Sequence, residues 1–143
     1  ALDVTIQMQI LVLLKRLQRE TGMAMIFISH DLGAVASVAD EIAVMYAGRI
    51  VEQAPTADLF RQVRMPYTEA LLHARPRLDA PPHQRLRALD RRPPDLAQPR
   101  RGCAFAPRCG YADAECLGTP PLLTMAAGRR YACRKPLPAS MPR

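Results

Sequence analysis

Tryptophan is absent from the 143-residue chain, which has only three phenylalanines and four tyrosines. A protein that holds single-stranded nucleic acid by stacking bases needs more rings than that. Apolar runs are short as well. None approaches the roughly 20 residues that cross a bilayer, and no basic-then-apolar leader opens the chain, so a soluble, unexported protein is expected. No Gly-x4-Gly-Lys-Ser/Thr occurs. That removes the backbone cradle, the lysine and the magnesium-binding hydroxyl of a self-sufficient nucleoside triphosphatase. Histidine is limited to His30, His73 and His83, and no Ser/His/Asp or Cys/His catalytic constellation forms around them.

Other scarcities are local. Only Pro55, Pro66 and Pro76 precede residue 81, against 11 prolines from residue 81 onward, and no cysteine precedes Cys103. Charge changes at the same place: residues 1–80 carry 8 Lys+Arg against 9 Asp+Glu, whereas 81–143 carry 12 against 4. A chain of this length can bury one real core. The composition assigns it to residues 1–80, with a Pro/Arg-rich linker at 81–101 and a small irregular, cysteine-containing extension at 102–143.

Residues 3–21 read as an amphipathic helix. Asp3 is placed as N-cap, Ile6, Ile10, Leu13, Leu14 and Leu17 recur on one face, and Gly22 suits the left-handed position after the last turn. The apolar run Met23–Ile28 follows and stops at Ser29-His30-Asp31. Such a run predicts a strand buried on both faces, as in a parallel sheet. His30 then stands at the strand's carboxyl end, where open α/β sheets keep their ligands. Leu32, Val35, Ala36 and Ala39 suit a short helix with a small-residue face.

Ile42–Tyr46 and Arg49–Glu52 flank Ala47-Gly48 and predict a β-hairpin, with Gly48 supplying positive φ. Pro55 is placed to open a helix with Leu59, Phe60 and Val63 on its apolar side. A second short helix runs from Tyr67 to about Ala74. Leu86–Leu89 could add an edge strand inside an otherwise extended, Pro-rich segment.

Cys103, Cys109, Cys116 and Cys133 are separated by 5, 6 and 16 residues. Four cysteines in a chain expected to be intracellular suggest a four-thiolate site for zinc or an iron–sulfur cluster. The spacing lacks Cys-x2-Cys knuckles, so free thiols or a disulfide stay open.

Taken together, these segments resemble the ATP-binding-cassette (ABC) ATPases. Ala1-Leu2-Asp3-Val4-Thr5-Ile6-Gln7 is similar to the end of the family's D-loop, His30-Asp31-Leu32 to its switch-histidine loop, and Val44–Glu52 to its closing hairpin. Gly102-Cys103-Ala104-Phe105-Ala106-Pro107-Arg108-Cys109, Tyr111-Ala112-Asp113, Cys116, Pro120-Pro121-Leu122 and Ala132-Cys133 resemble the C-terminal extension of the oligopeptide/dipeptide importer branch. The resemblance implies an α/β fold, the C-terminal part of a P-loop-type nucleotide-binding domain. It gives His30 a catalytic role at the γ-phosphate and Asp3 a place at the nucleotide and dimer interface. Cys103, Cys109, Cys116 and Cys133 would be ligands of a [4Fe–4S] cluster that some members hold, or of zinc.

ATP and Mg2+ would be bound mainly by motifs that precede the D-loop in the family and do not occur here: the P-loop, the Leu-Ser-Gly-Gly signature, the Q-loop and the Asp-Glu strand end. A fragment that cannot hydrolyse ATP alone is therefore expected. Its implied partners are a second ATP-binding subunit, membrane permease subunits and, indirectly, a substrate-binding protein, at the cytoplasmic face of the membrane. Dipeptide, oligopeptide and nickel cargoes are not distinguishable. Ala54, Met65 and Gly110 depart from residues common in the family; positive φ at Ala54 would be strained.

Two rival readings carry less. The pairs Arg91-Arg92, Arg100-Arg101 and Arg129-Arg130 could attract phosphate, but no recognition helix accompanies them and no nucleic-acid partner is expected. A free-standing metal or redox module would leave His30 and the D-loop resemblance unexplained.

Overall fold

A computed structural model describes residues 4–74, 94, 101–126 and 128–138. The chain forms two compact units, residues 1–42 and 43–143. The fold is mixed α/β, and its sheet is small and antiparallel.

In the first unit, α1 (Val4–Thr21) ends at Gly22, whose φ is 68° and whose N–H donates to the Gln18 carbonyl at 2.9 Å. Its buried side overlaps the one periodicity picked out only at Leu14, which is half-buried. Leu11, 3% exposed, packs with Phe27 and with Ala34 and Val38 of α2 (Leu32–Val38), while Ile6, Ile10, Leu13 and Leu17 are 40–54% exposed. Met8 and Val12 are exposed too. The helix is apolar around most of its circumference, and one short neighbour covers only a stripe of it.

The parallel strand expected at Met23–Ile28 is not formed. No ladder partner for this segment exists among the described residues, and burial alternates along it: Met25, Phe27 and Ser29 are half-buried, whereas Ile26 and Ile28 are each 91% exposed. Period-two burial is what an extended chain produces when one face alone is covered. Here Phe27 reaches the helices, and nothing described covers the other face.

The second unit is built on a sheet of order β1-β2-β4-β3: β1 (Glu41–Tyr46), β2 (Arg49–Pro55), β3 (Thr124–Ala126) and β4 (Arg129–Tyr131). The β1–β2 hairpin forms where expected, but its turn uses positive φ at both central residues, 51° at Ala47 and 76° at Gly48. That is the type I′ geometry matched to strand twist. Strand β2 runs on to Pro55 and contains Ala54, which is fully buried and has no positive φ, so the strain expected there does not arise. Pro55 precedes α3 (Thr56–Arg61) as its cap residue, and α4 (Pro66–His73) starts with Pro66 in its first turn.

The cysteine-bearing segment adds two strands not foreseen from the sequence. Strand β4 lies antiparallel to β2, with Tyr131 opposite Glu52 and Arg130 opposite Gln53, and β3 pairs with β4. Residues from both segments are buried in this unit, among them Val44, Tyr46, Val51, Leu59, Met65, Phe105, Tyr131 and Leu137. The edge strand considered at Leu86–Leu89 lies outside the described residues.

Candidate functional site

The two sets of candidate residues lie in different units. Asp3 falls outside the described residues. His30 occupies a bend between the half-extended apolar segment and α2, with its side chain exposed. Its neighbours hold that bend. The Asp31 carboxylate caps α2 by accepting from Gly33 N–H at 2.8 Å and Ala34 N–H at 3.3 Å, and Ser29 Oγ accepts from Asp31 N–H at 3.0 Å. With both adjacent residues engaged, the backbone presents the imidazole outward, free to act as donor or acceptor.

The second unit brings all four cysteines to one small cavity of about 20 Å3, lined also by Met65, Phe105 and Lys135. That is room for about one water-sized occupant. None of the four is in a disulfide, and each is half-buried. Cys103 and Cys109 flank the 3₁₀ turn Ala106–Arg108, fastened by Ala106 N–H to Cys103 O at 3.0 Å and Cys109 N–H to Ala106 O at 3.2 Å. Cys116 lies on α5 (Ala114–Gly118), and Cys133 follows β4. Cys103 N–H donates to Cys116 O at 2.8 Å. The approach depends on Gly102, where a Cβ would collide with the backbone of Cys116 and Leu117.

Burial pushes the Cys133 thiol up to about 11, reinforced by Cys103, Cys109 and Cys116 nearby. The Cys109 thiol is raised in the same way, by burial first and then by its cysteine neighbours and Glu69. Thiols that resist ionising in each other's company are those a bound cation would relieve. The four side chains share the donor type of a thiolate site and line one cavity. Among the described residues, no three His, Cys, Asp or Glu side chains are drawn to the spacing that holds an ion.

Several residues that sequence reasoning passed over hold this region. Glu52, 1% exposed, accepts from Arg64 N–H at 2.7 Å and Met65 N–H at 3.1 Å. Tyr46, Tyr67 and Phe105 form a cluster of tilted and edge-to-face rings with centroids 4.5–5.4 Å apart, joining β1, α4 and the first cysteine loop. Burial raises the Tyr67 phenol. Arg129, half of a basic pair that could attract phosphate on sequence grounds, is 7% exposed and donates to the Asp58 and Gln62 carbonyls at 2.6 and 2.5 Å, closing the C-terminal end of α3. Its neighbour Arg130 is exposed. Arg91, Arg92, Arg100 and His83 lie outside the described residues, and no described helix is long and apolar enough to cross a membrane.

Residues 51–116 match the family described as "Oligopeptide/dipeptide transporter, C-terminal region". The chain is 52% identical over 134 residues to the oligopeptide transport ATP-binding protein OppD of Mycobacterium tuberculosis, covering 93% of this chain and 22% of that protein. It is 46% identical over 137 residues to OppD of Salmonella typhimurium, covering 96% of this chain and 41% of that protein. A putative peptide import ATP-binding protein of Brucella ovis is 50% identical over 131 residues, with shares of 87% and 39%. The chain thus spans between about a fifth and two fifths of the length of these relatives. Close to half of its residues are shared across nine-tenths of its length, so the chain is similar to oligopeptide transport ATP-binding proteins, with residues 51–116 matching the C-terminal region of oligopeptide/dipeptide transporters.

Proposed function

We propose that this chain is the part of an ABC peptide-importer ATPase subunit that contributes the switch histidine and a cysteine-lined C-terminal region. The observation that carries the reading is His30, exposed at the end of an apolar segment and braced by Ser29 and the Asp31 cap of α2. In the intact subunit, within a P-loop-type domain to which residues 1–80 contribute, the imidazole hydrogen-bonds the γ-phosphate and orients the attacking water. This is a task of position and charge rather than of covalent chemistry. ATP and Mg2+ are held mainly by residues outside this chain. Asp3 lies at the interface with a second ATP-binding subunit, and the bare surfaces of Ile26 and Ile28 suit neighbouring strands of the whole nucleotide-binding domain. The subunit sits peripherally at the cytoplasmic face, on permease subunits fed by a substrate-binding protein, and energises uptake of peptides.

The extension's four cysteines are the ligand set of a metal centre, a zinc ion or a [4Fe–4S] cluster. Their shared cavity and unbridged state support this reading; about 20 Å3 accommodates a single ion, and a cluster would require the cysteine segments to move apart. The Cys103/Cys109 turn, α5 through Cys116 and the segment after β4 through Cys133 would hold such a centre, which would supply a cross-link among them. In the intact subunit, His30→Ala is expected to retain ATP binding and lose most turnover; normal hydrolysis and transport would refute the assignment. Visible absorption of anaerobically purified protein, with iron and zinc analysis, separates cluster, zinc and bare thiols.

A further inference from the structure

Helix α5 presents a problem of support. It has five residues, none of them buried, and a helix that short does not persist on its own hydrogen bonds. Yet it carries Cys116 to the cavity it shares with Cys133, 17 residues further along the sequence. Between them lie exposed Leu117, Leu122, Leu123 and Met125 and the wholly exposed strand β3, which offer little apolar anchoring.

One carboxylate bridges the gap. Asp113 Oδ1 accepts from Cys116 N–H at 3.2 Å, capping α5, while Oδ2 is paired with the Lys135 ammonium, two residues beyond Cys133. Arg134 reinforces the same junction, with two guanidinium nitrogens 3.4 Å from the carbonyl of Thr119, the residue after α5. Resting on the reading of the four cysteines as a metal centre, we propose that Asp113 is a positioning residue for that centre. It clasps the Cys116 helix with one oxygen and the Cys133 segment with the other, so that two of the four thiols reach the site already oriented.

The chemistry favours this arrangement over a plain helix cap. Four thiolates around a divalent ion carry excess negative charge, and an unpaired carboxylate beside them would add to it. Lys135 neutralises Asp113 and itself lines the cavity. Holding ligands in place before the metal arrives reduces the ordering cost of binding, and partners outside the ligand set commonly change metal affinity 10- to 100-fold. Side-chain exposures of 34% and 55% at Asp113 and Lys135 bring the expected effect down to about three- to tenfold.

The test is an anaerobic Co2+ titration of the whole chain, read by sulfur-to-cobalt charge-transfer absorption and the visible bands of tetrahedral Co2+, with Cys116→Ser as ligand control. Asp113→Asn keeps a capping oxygen and loses the charge; Lys135→Met removes the partner. Each single variant is expected to keep the tetrathiolate spectrum and bind Co2+ about three- to tenfold more weakly. The double variant should be no weaker than the weaker single, and the deficit should shrink in high salt. Wild-type affinity in both singles, or additive losses in the double, would overturn the clasp and leave the metal reading standing. Absence of any thiolate band in the wild type would overturn the metal reading and the clasp with it.

Discussion

Glu52 offers the sharpest test of how the second unit is held together. The carboxylate is 1% exposed and accepts two backbone N–H groups, from Arg64 at 2.7 Å and Met65 at 3.1 Å. Hydrogen bonds to an ionised group contribute about 1.5–3 kcal/mol each. Glu52→Gln preserves shape but exchanges one acceptor oxygen for an NH2 that faces a backbone donor, so a loss of about 2–3 kcal/mol is expected. Glu52→Ala strands both amides and should cost about 3–5 kcal/mol. The assay is built into the composition: the chain has no tryptophan, and its four tyrosines, Tyr46, Tyr67, Tyr111 and Tyr131, all lie within residues 43–143. Tyrosine near-ultraviolet dichroism in urea therefore reports this unit alone. With a denaturant slope of about 2 kcal/mol/M, the Gln midpoint should fall by roughly 1–1.5 M. Because Arg64 O accepts from Leu137 N–H and Val51 O from Ala132 N–H, the same variant should also loosen the approach of Cys133. A Gln variant within about 0.5 kcal/mol of wild type would refute the reasoning, since that is the scatter of inert surface changes.

Three further predictions are independent of that one. Ala47 at φ 51° bears the left-handed penalty of about 1–2 kcal/mol, so Ala47→Asn should raise the urea midpoint and Ala47→Val should lower it. Gly102→Ala, whose Cβ would collide with the Cys116 and Leu117 backbone, should cost more than about 2 kcal/mol and abolish wild-type Co2+ binding in the same titration. In the first unit, Asp31→Ala removes an N-cap worth about 1 kcal/mol, while exposed His30→Ala should alter helical dichroism in urea by less than about 0.5 kcal/mol. A large stability loss at His30 would argue for a structural residue in place of a presented one.

What could be read from the chain beforehand sorts by the range of the interaction. The Ala47-Gly48 hairpin, the start of the second short helix within one residue of Tyr67 and the Gly22 helix stop were legible because each depends on the φ preferences of one or two adjacent residues. The face that α1 buries was not. Ile6, Ile10, Leu13 and Leu17 satisfy the helical period as well as Leu11 does, and periodicity reports which residues share a side without naming what lies opposite. Arg129 and Glu52 were out of reach for a related reason. Their partners Asp58, Gln62, Arg64 and Met65 are 12 to 71 residues away in sequence, and a basic pair or an acidic strand residue looks solvated until the backbone carbonyls or amides it serves are located. Strand β4 escaped notice because three residues, Arg129–Tyr131, carry too little alternation to announce a strand. Asp113 is the exception that local chemistry could have supplied. An aspartate immediately before Ala114-Glu115-Cys116 fits the N-cap preference without any tertiary information. Only its second oxygen, turned to Lys135 across 22 residues, required the fold, and that longer bond is what makes a helix cap into a tie between two cysteine loops.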